Sequence, residues 1–283
     1  MPVPSPVTLQ LTLVDLPPLA DDNPERKADF APMLQWLSAD EVARIERTRM
    51  PGLAVRQSIV RLCLRAELGI RCGVSPQSLR FDYGPKGKPA LFNQALNFNL
   101  SHSGDRLLIA STPDNPLLLG VDIERRREKT DIDAIYRHYF SLPEQQYLEG
   151  LQGDSKRDAF FDLWALKESF IKATGNGLAE GLKSFGYDLA SAGTTDADGL
   201  RGMRTGLEVL RFGAPSDEAV GAVGAVGAVG ADGCWQSAIG QLDGPYRLAY
   251  TIATPVPRNC QISLTRLRWQ ALLQQGREQA SAK

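Results

Sequence analysis

Residues 7–14 (VTLQLTLV) alternate apolar and polar side chains, the period-2 pattern of a half-buried strand, and the Pro/Asp-rich segment 15–29 after it reads as loop. Ser38 followed by Glu41 predicts a capped helix over ADEVARIERTR, residues 39–49. From Pro51 a second helix carries Val55, Ile59, Leu62, Cys63 and Ala66 as its apolar stripe, with Gly69 as its stop and Arg61 and Arg65 sharing one face. Short strands are expected at 79–83, 97–100 and 106–111, and the DNP turn at 114–116 as a boundary between halves. The pattern then restarts. LLLGVDIE reads as a strand, DIDAIYRHYF and SLPEQQYLEGL as helices, and 156–174 as a long helix ending at Gly175. Strands at 183–189, 205–212, 234–242, 246–253 and 261–268 complete an α+β chain in which helices and antiparallel strands are mixed. AVGAVGAVGAVG (219–230) repeats a triplet too small to fill a core and is expected to be a flexible loop; the polar tail after Gln274 is expected to fray.

Composition narrows the classes. A chain of 283 residues with 43% hydrophobic content can bury a core, and 32 basic against 33 acidic residues leave no overall field to select nucleic acid or an anionic membrane. Any anion site must be local. Cys63, Cys72, Cys234 and Cys260 form no CxxC pair, which suits reduced thiols and the cytoplasm. The N-terminal stretch is Pro-broken and lacks a basic start, and no run approaches a membrane span, so a soluble protein is expected.

Two clusters could carry chemistry. In the strand GVDIE, Asp122 and Glu124 point the same way, where like charges repel unless one is protonated or a cation lies between them. A solvated strand end answered by Arg125, Arg126 and Arg127 is the plain alternative. On the long helix, Trp164, Glu168 and Lys172 follow at four-residue spacing; Glu168 and Lys172 could be a surface ion pair, or could face Asp122 and Glu124. Three carboxylates with a lysine beside them suit Mg²⁺ and a phosphate-bearing substrate. Upstream, Lys86 and Lys88 sit on a Gly/Pro turn, and His102 lies between two serines just past a strand, either as a structural histidine or as part of an anion site.

Taken in order, GKP, FNLSHSG, GVDIE and FFDLWALKESFIKATGNGL resemble the 4'-phosphopantetheinyl transferases of the larger, surfactin-synthetase-activating type, over roughly residues 35–190. The resemblance implies two similar α+β halves with antiparallel sheets related by a pseudo-twofold axis, divided here as 1–115 and 116–270, with 271–283 as a tail. It implies Mg²⁺-dependent transfer of phosphopantetheine from coenzyme A to a serine of an acyl or peptidyl carrier protein, by a cytoplasmic monomer without nucleic acid or membrane partners. By motif, Asp122, Glu124 and Glu168 look like the metal ligands and Lys172 like the pyrophosphate lysine. Arg56, Lys86, Lys88, Pro89, Ser101, His102 and Lys167 join Lys172 in the coenzyme A set, with Arg56 resembling the N-terminal arginine that meets the 3'-phosphate and Arg44, Arg47 and Arg49 matching only as a basic cluster beside it.

Lys172, His102 and Glu144 are the implied catalytic groups. Glu144 resembles a family glutamate proposed to deprotonate the serine, but Ser141 and Glu144 also spell a capping box, and both roles stand. A noncatalytic coenzyme A-binding protein and a metal-dependent phosphohydrolase are the alternatives of other classes.

Overall fold

The computed structural model describes residues 4–19, 24–114, 117–177, 181–190, 193–197, 200–211 and 233–281. Four layers stack in the order helix, sheet, sheet, helix. The first sheet holds β1 (Val7–Asp15), β4 (Asn97–Ser103), β5 (Arg106–Thr112) and β13 (Cys260–Arg268), in the order β13-β1-β5-β4. The second holds β6 (Leu118–Arg125), β8 (Thr195–Ala197), β9 (Leu200–Leu207), β11 (Cys234–Gln241) and β12 (Tyr246–Thr254), in the order β6-β12-β11-β9-β8.

Strand alternation explains the stacking. Val7, Leu9, Leu11 and Leu13 of β1 pack with Leu108, Val121, Ile123, Leu248 and Ile252 in one cluster between the sheets. On the outer face of the first sheet, Val14, Leu107 and Ile109 meet Ile59, Leu62 and Ala66 of the helix α3 (Pro51–Cys72). Beyond the second sheet, Ile239 and Ala249 meet Leu163, Leu166 and Phe170 of the helix α6 (Gly153–Thr174). Each fully buried Leu or Ile side chain contributes about 1.5–3 kcal/mol.

Several expectations hold and several are corrected. Ser38 caps α2 (Ala39–Glu46), its N–H donating to Glu41 Oε2 at 2.9 Å. Gly69 does not end α3: the helix runs to Cys72, and Gly73, at φ +65°, takes the left-handed cap with Val74 N–H donating to Gly69 O. Gly69 is small for another reason, since a Cβ there would lie 3.0 Å from Val74 O and 3.2 Å from Pro76. Within the stretch 15–29 expected to be loop, the helix α1 (Pro24–Phe30) starts, followed by a 3₁₀ turn at Ala31–Trp36. Only Phe185–Gly186 (β7) of the expected strand 183–189 is extended, paired with β10 (Leu210–Arg211).

The sharpest departure is the C-terminal strand. The stretch 261–268, placed in the second half on sequence grounds, pairs parallel with β1, so the first sheet is mixed rather than antiparallel. The tail expected to fray is the helix α7 (Trp269–Ser281), which buries Trp269, Leu272, Leu273 and Gly276 against α3. A Cβ on Gly276 would sit 2.8 Å from Ala66 Cβ, which shows how close the two helices run. Asn115, at the expected boundary, and the AVG repeat 219–230 lie outside the described residues.

Candidate active site

The two sheets meet along edge strands β4 and β6, and side chains rather than a backbone ladder join them. Asn99, Ser101 and Ser103 of β4 are spaced by two and so share one face. Asn99 Oδ1 accepts from Val121 N–H (2.9 Å), Ser101 Oγ donates to Asp122 Oδ1 (2.7 Å), and Ser103 Oγ donates to Glu124 Oε1 (3.4 Å) while accepting from Arg125 N–H (3.2 Å). The serines of FNLSHSG and the carboxylates of GVDIE thus form one seam.

The helix α6 lies directly on β6 because of Gly120. A Cβ at that position would fall 1.9 Å from Ser169 O and 2.3 Å from Ala173 N, so only glycine permits this approach. The close approach brings Lys172 to the strand: its Nζ donates to Asp122 Oδ1 (2.6 Å) and to Ser101 Oγ (2.8 Å), closing a three-membered contact. Asp122 Oδ2 is buried and has no hydrogen-bond partner among the described residues. Burial first, then the Asp122 charge, raises the Glu124 carboxyl to about 7, with Arg127 and Lys172 opposing. The same two causes raise Glu168, against Lys172. Glu124 and Glu168 thus both lie within reach of the Asp122 charge. Among the described residues no three His, Cys, Asp or Glu side chains already stand as a ligand set, and Lys172 occupies the place beside Asp122. A buried carboxylate oxygen without a donor, flanked by two carboxylates that burial disfavours as anions, is a donor set that fits a hard divalent cation.

Next to the seam lies a basic cleft of about 510 Å³, lined by Arg44, Arg56, Arg61, Ser101, His102 and Lys172 among others. Burial, then Arg56 and Lys172, lower His102 below its ordinary value, with Asp122 opposing, so its neutral ring is the form favoured there. Arg56 is largely buried and donates to Gly104 O and Pro17 O at 2.5 Å each, which ties α3 to two loops. Arg47 is turned away and donates to Ala43 O of its own helix.

A second cavity of about 450 Å³ lies beneath the GKP loop, lined by Tyr83, Lys86, Lys88, Pro89, Phe98 and the end of α6. Lys86 is exposed. Lys88 is not free to reach out: its Nζ donates to Leu119 O (3.0 Å) and Ala173 O (2.7 Å), and burial lowers its pKa to about 8. It fastens the loop to β6 and to the C-terminal turn of α6, one residue from Lys172.

Two residues expected on functional grounds stand elsewhere. Ser141 N–H donates to Glu144 Oε2 (2.9 Å), Tyr187 N–H to Glu144 Oε1 (3.2 Å), and Lys167 Nζ lies 2.8 Å from Glu144 Oε2. Lys167 Nζ also donates to Leu182 O and Phe185 O and sits over the Phe140 and Phe185 rings. The structure thus places Glu144 in a cap at the start of α5 (Leu142–Glu149) and Lys167 in an enclosed pair with it, its ammonium committed to Glu144, Leu182 O and Phe185 O. Trp164 stacks on Phe140 and Phe160 and is packing. Arg61 also lines the cleft; in the sequence its only mark is a helical face shared with Arg65.

Residues 118–210 match a family model described as 4'-phosphopantetheinyl transferase superfamily. A Synechocystis protein named for this transferase is 38% identical over 149 residues, covering 52% of this chain and 60% of that protein, so the match spans about three fifths of that relative. The transferase HetI of Nostoc is 34% identical over 64% of this chain and 76% of its own length, and psf-1 of Bacillus pumilus 32% identical over 65% and 77%. The chain belongs to the 4'-phosphopantetheinyl transferase superfamily.

Proposed function

We propose that the seam transfers the phosphopantetheine of coenzyme A to a serine hydroxyl of an acyl or peptidyl carrier protein, releasing 3',5'-ADP. The observation that carries this is the Lys172–Ser101–Asp122 contact at the edge of an arginine-lined cleft. In phosphoryl transfer, positioning and charge stabilisation dominate. The serine oxygen bonds to the β-phosphorus of coenzyme A as the bridging P–O bond breaks, and its electron pair leaves with 3',5'-ADP. Lys172 is placed to meet that charge, and neutral His102 to donate one N–H to a phosphate oxygen. Arg56 shapes the cleft through its carbonyl contacts, and Lys86 and Pro89 flank the nucleotide end while Lys88 holds their loop.

Asp122, Glu124 and Glu168 would hold Mg²⁺, which when bound supplies neutralising charge for the pyrophosphate. Glu144 acts as a cap in this reading, and the serine proton is released to solvent water. The carrier meets the corner between α4 (Ile132–Tyr139) and α5, where Tyr139 and Leu142 are exposed beside Arg137. Arg126 and Lys156 are committed elsewhere, to Asp158 and Asp133 respectively. One chain supplies both sides of the seam, which supports a monomer, and its four free cysteines suit the cytoplasm.

The test is mass spectrometry of apo-carrier proteins incubated with coenzyme A and Mg²⁺. Carriers heavier by one phosphopantetheine are expected. Free phosphopantetheine without modified carrier would indicate a hydrolase, and an unchanged coenzyme A pool a binding protein.

A further inference from the structure

The stretch SHSGDR (residues 101–106) folds back on itself through a two-residue turn, Gly104 and Asp105, with Ser103 and Arg106 as the closing pair. The turn stands at the Glu124 end of the seam, where the bonds between the sheets are long: Ser103 Oγ donates to Glu124 Oε1 at 3.4 Å and accepts from Arg125 N–H at 3.2 Å. An O–H···O bond is ordinarily about 2.7–2.8 Å, so the Ser103 contact to Glu124 is a weak one. A further tie crosses at the tip of the turn. Tyr246, the first residue of β12, is buried, and its hydroxyl accepts from Asp105 N–H (3.2 Å) and donates to Asp105 Oδ1. Gly104, at φ +56°, makes room for it, since a Cβ there would lie 2.4 Å from the Tyr246 hydroxyl oxygen.

The tyrosine is itself fixed. Its ring belongs to the apolar cluster between the sheets, and the Arg106 guanidinium, paired with Asp15 at 3.1 Å, lies 5.3 Å from the ring centre. Burial, then the bond to Asp105, raise the Tyr246 hydroxyl above its ordinary value, so it stays a donor. A hydroxyl donating to a carboxylate is about twice as strong as a bond between neutral groups. From the first sheet's side, Arg56 donates to Gly104 O, and Leu16 N–H donates to Asp105 O at 2.9 Å. The turn is therefore gripped from both halves, and His102 and Ser103 come immediately before it. We propose that Tyr246 is a positioning residue: through Asp105 it sets the turn that holds His102 at the cleft and Ser103 on Glu124. The inference rests on the reading of seam and cleft as the transfer site. Misplacement by about 1 Å at such a site costs about 10²-fold in rate, which is the scale on which this clasp acts.

Three variants test this. Tyr246→Phe removes the hydroxyl and keeps the ring, Asp105→Ala removes the carboxylate, and Asp105→Asn keeps an oxygen acceptor in its place. At saturating coenzyme A and carrier, kcat should fall about 10–100-fold in Tyr246→Phe and in Asp105→Ala. The double variant should be no slower than the slower single, because both remove one interaction. Asp105→Asn should stay within about threefold of the wild type, losing only the charge assistance. The KM for the carrier should not move, since the carrier meets the corner between α4 and α5. The chain has two histidines, so their ring signals in NMR report the turn directly. In Tyr246→Phe the signals of His102 should shift, and those of His138, exposed on α4, should not. Either a kcat within about threefold of the wild type in Tyr246→Phe or unmoved His102 signals would overturn the proposal, whatever the melting temperature does, and so would additive losses in the double variant. A wild type that transfers nothing would sink the function proposed above, and the His102 signals would then decide the clasp on their own.

Discussion

The helix α6 carries two lysines five residues apart, each paired with a carboxylate from another element, and the two pairs are opposites. Lys167 and Glu144 have side chains 0% and 1% exposed, whereas Lys172 and Asp122 are 29% and 5% exposed. In the enclosed pair, both carboxylate oxygens and the ammonium have protein partners. In the seam pair, Asp122 Oδ2 has none among the described residues, and Lys172 stands at the cleft. Charge type and helix position are nearly the same, so neither distinguishes the roles. What distinguishes them is whether the polar atoms are already satisfied: the first pair holds the α5–α6 corner together, and the second retains capacity for a ligand.

The comparison can be broken most strongly at the enclosed pair. Lys167→Met leaves the Glu144 carboxylate buried without its countercharge and should cost about 3–5 kcal/mol of stability in denaturant unfolding. Adding Glu144→Gln to it should recover much of that loss. If Lys167→Met leaves stability within about 0.5 kcal/mol of the wild type, the pair is not structural.

A smaller effect sharpens the account at Lys88, which joins the GKP loop to both elements of the seam. Its folded-state pKa of about 8 lies below its ordinary 10.5, so between those values the unfolded chain binds more protons. Stability from this group is therefore present at high pH and is lost as pH falls through about 8. From pH 7 to 9.5 the stability of the wild type relative to Lys88→Met should rise by about 1–3 kcal/mol. A difference that does not change with pH would contradict the buried ammonium.

Local signals survived well from sequence to structure. The capping boxes at Ser38 and Ser141, the stop at Gly175, and the shared face of Asp122 and Glu124 all depend on residues within four positions of each other. The motifs GVDIE and FNLSHSG were legible as candidate sites, and the structure brings their side chains together along one seam. Contacts between distant segments were not legible. The pairing of β13 with β1 joins strands about 250 residues apart, and alternation alone does not name a strand's neighbour. Lys88 and Lys167 look like available cations in sequence, because the carbonyls that occupy them come from other elements. Gly69 and Gly73 show the same limit within one helix, since Pro76 packing and a left-handed cap require glycine for different reasons.

The proposed function puts the chemistry at the seam pair and not at the enclosed pair. Single-turnover rates of Asp122→Asn and Glu144→Gln, at saturating coenzyme A and carrier and at a temperature where both variants are folded, test it most directly. Asp122→Asn should lose about 10²–10³-fold, as when a positioned electrostatic group is removed, with its melting temperature little changed. Glu144→Gln should keep its rate within about threefold while melting lower. A loss of about 10²–10⁴-fold in Glu144→Gln, the range expected for a missing general base, together with a near-normal Asp122→Asn, would contradict the account.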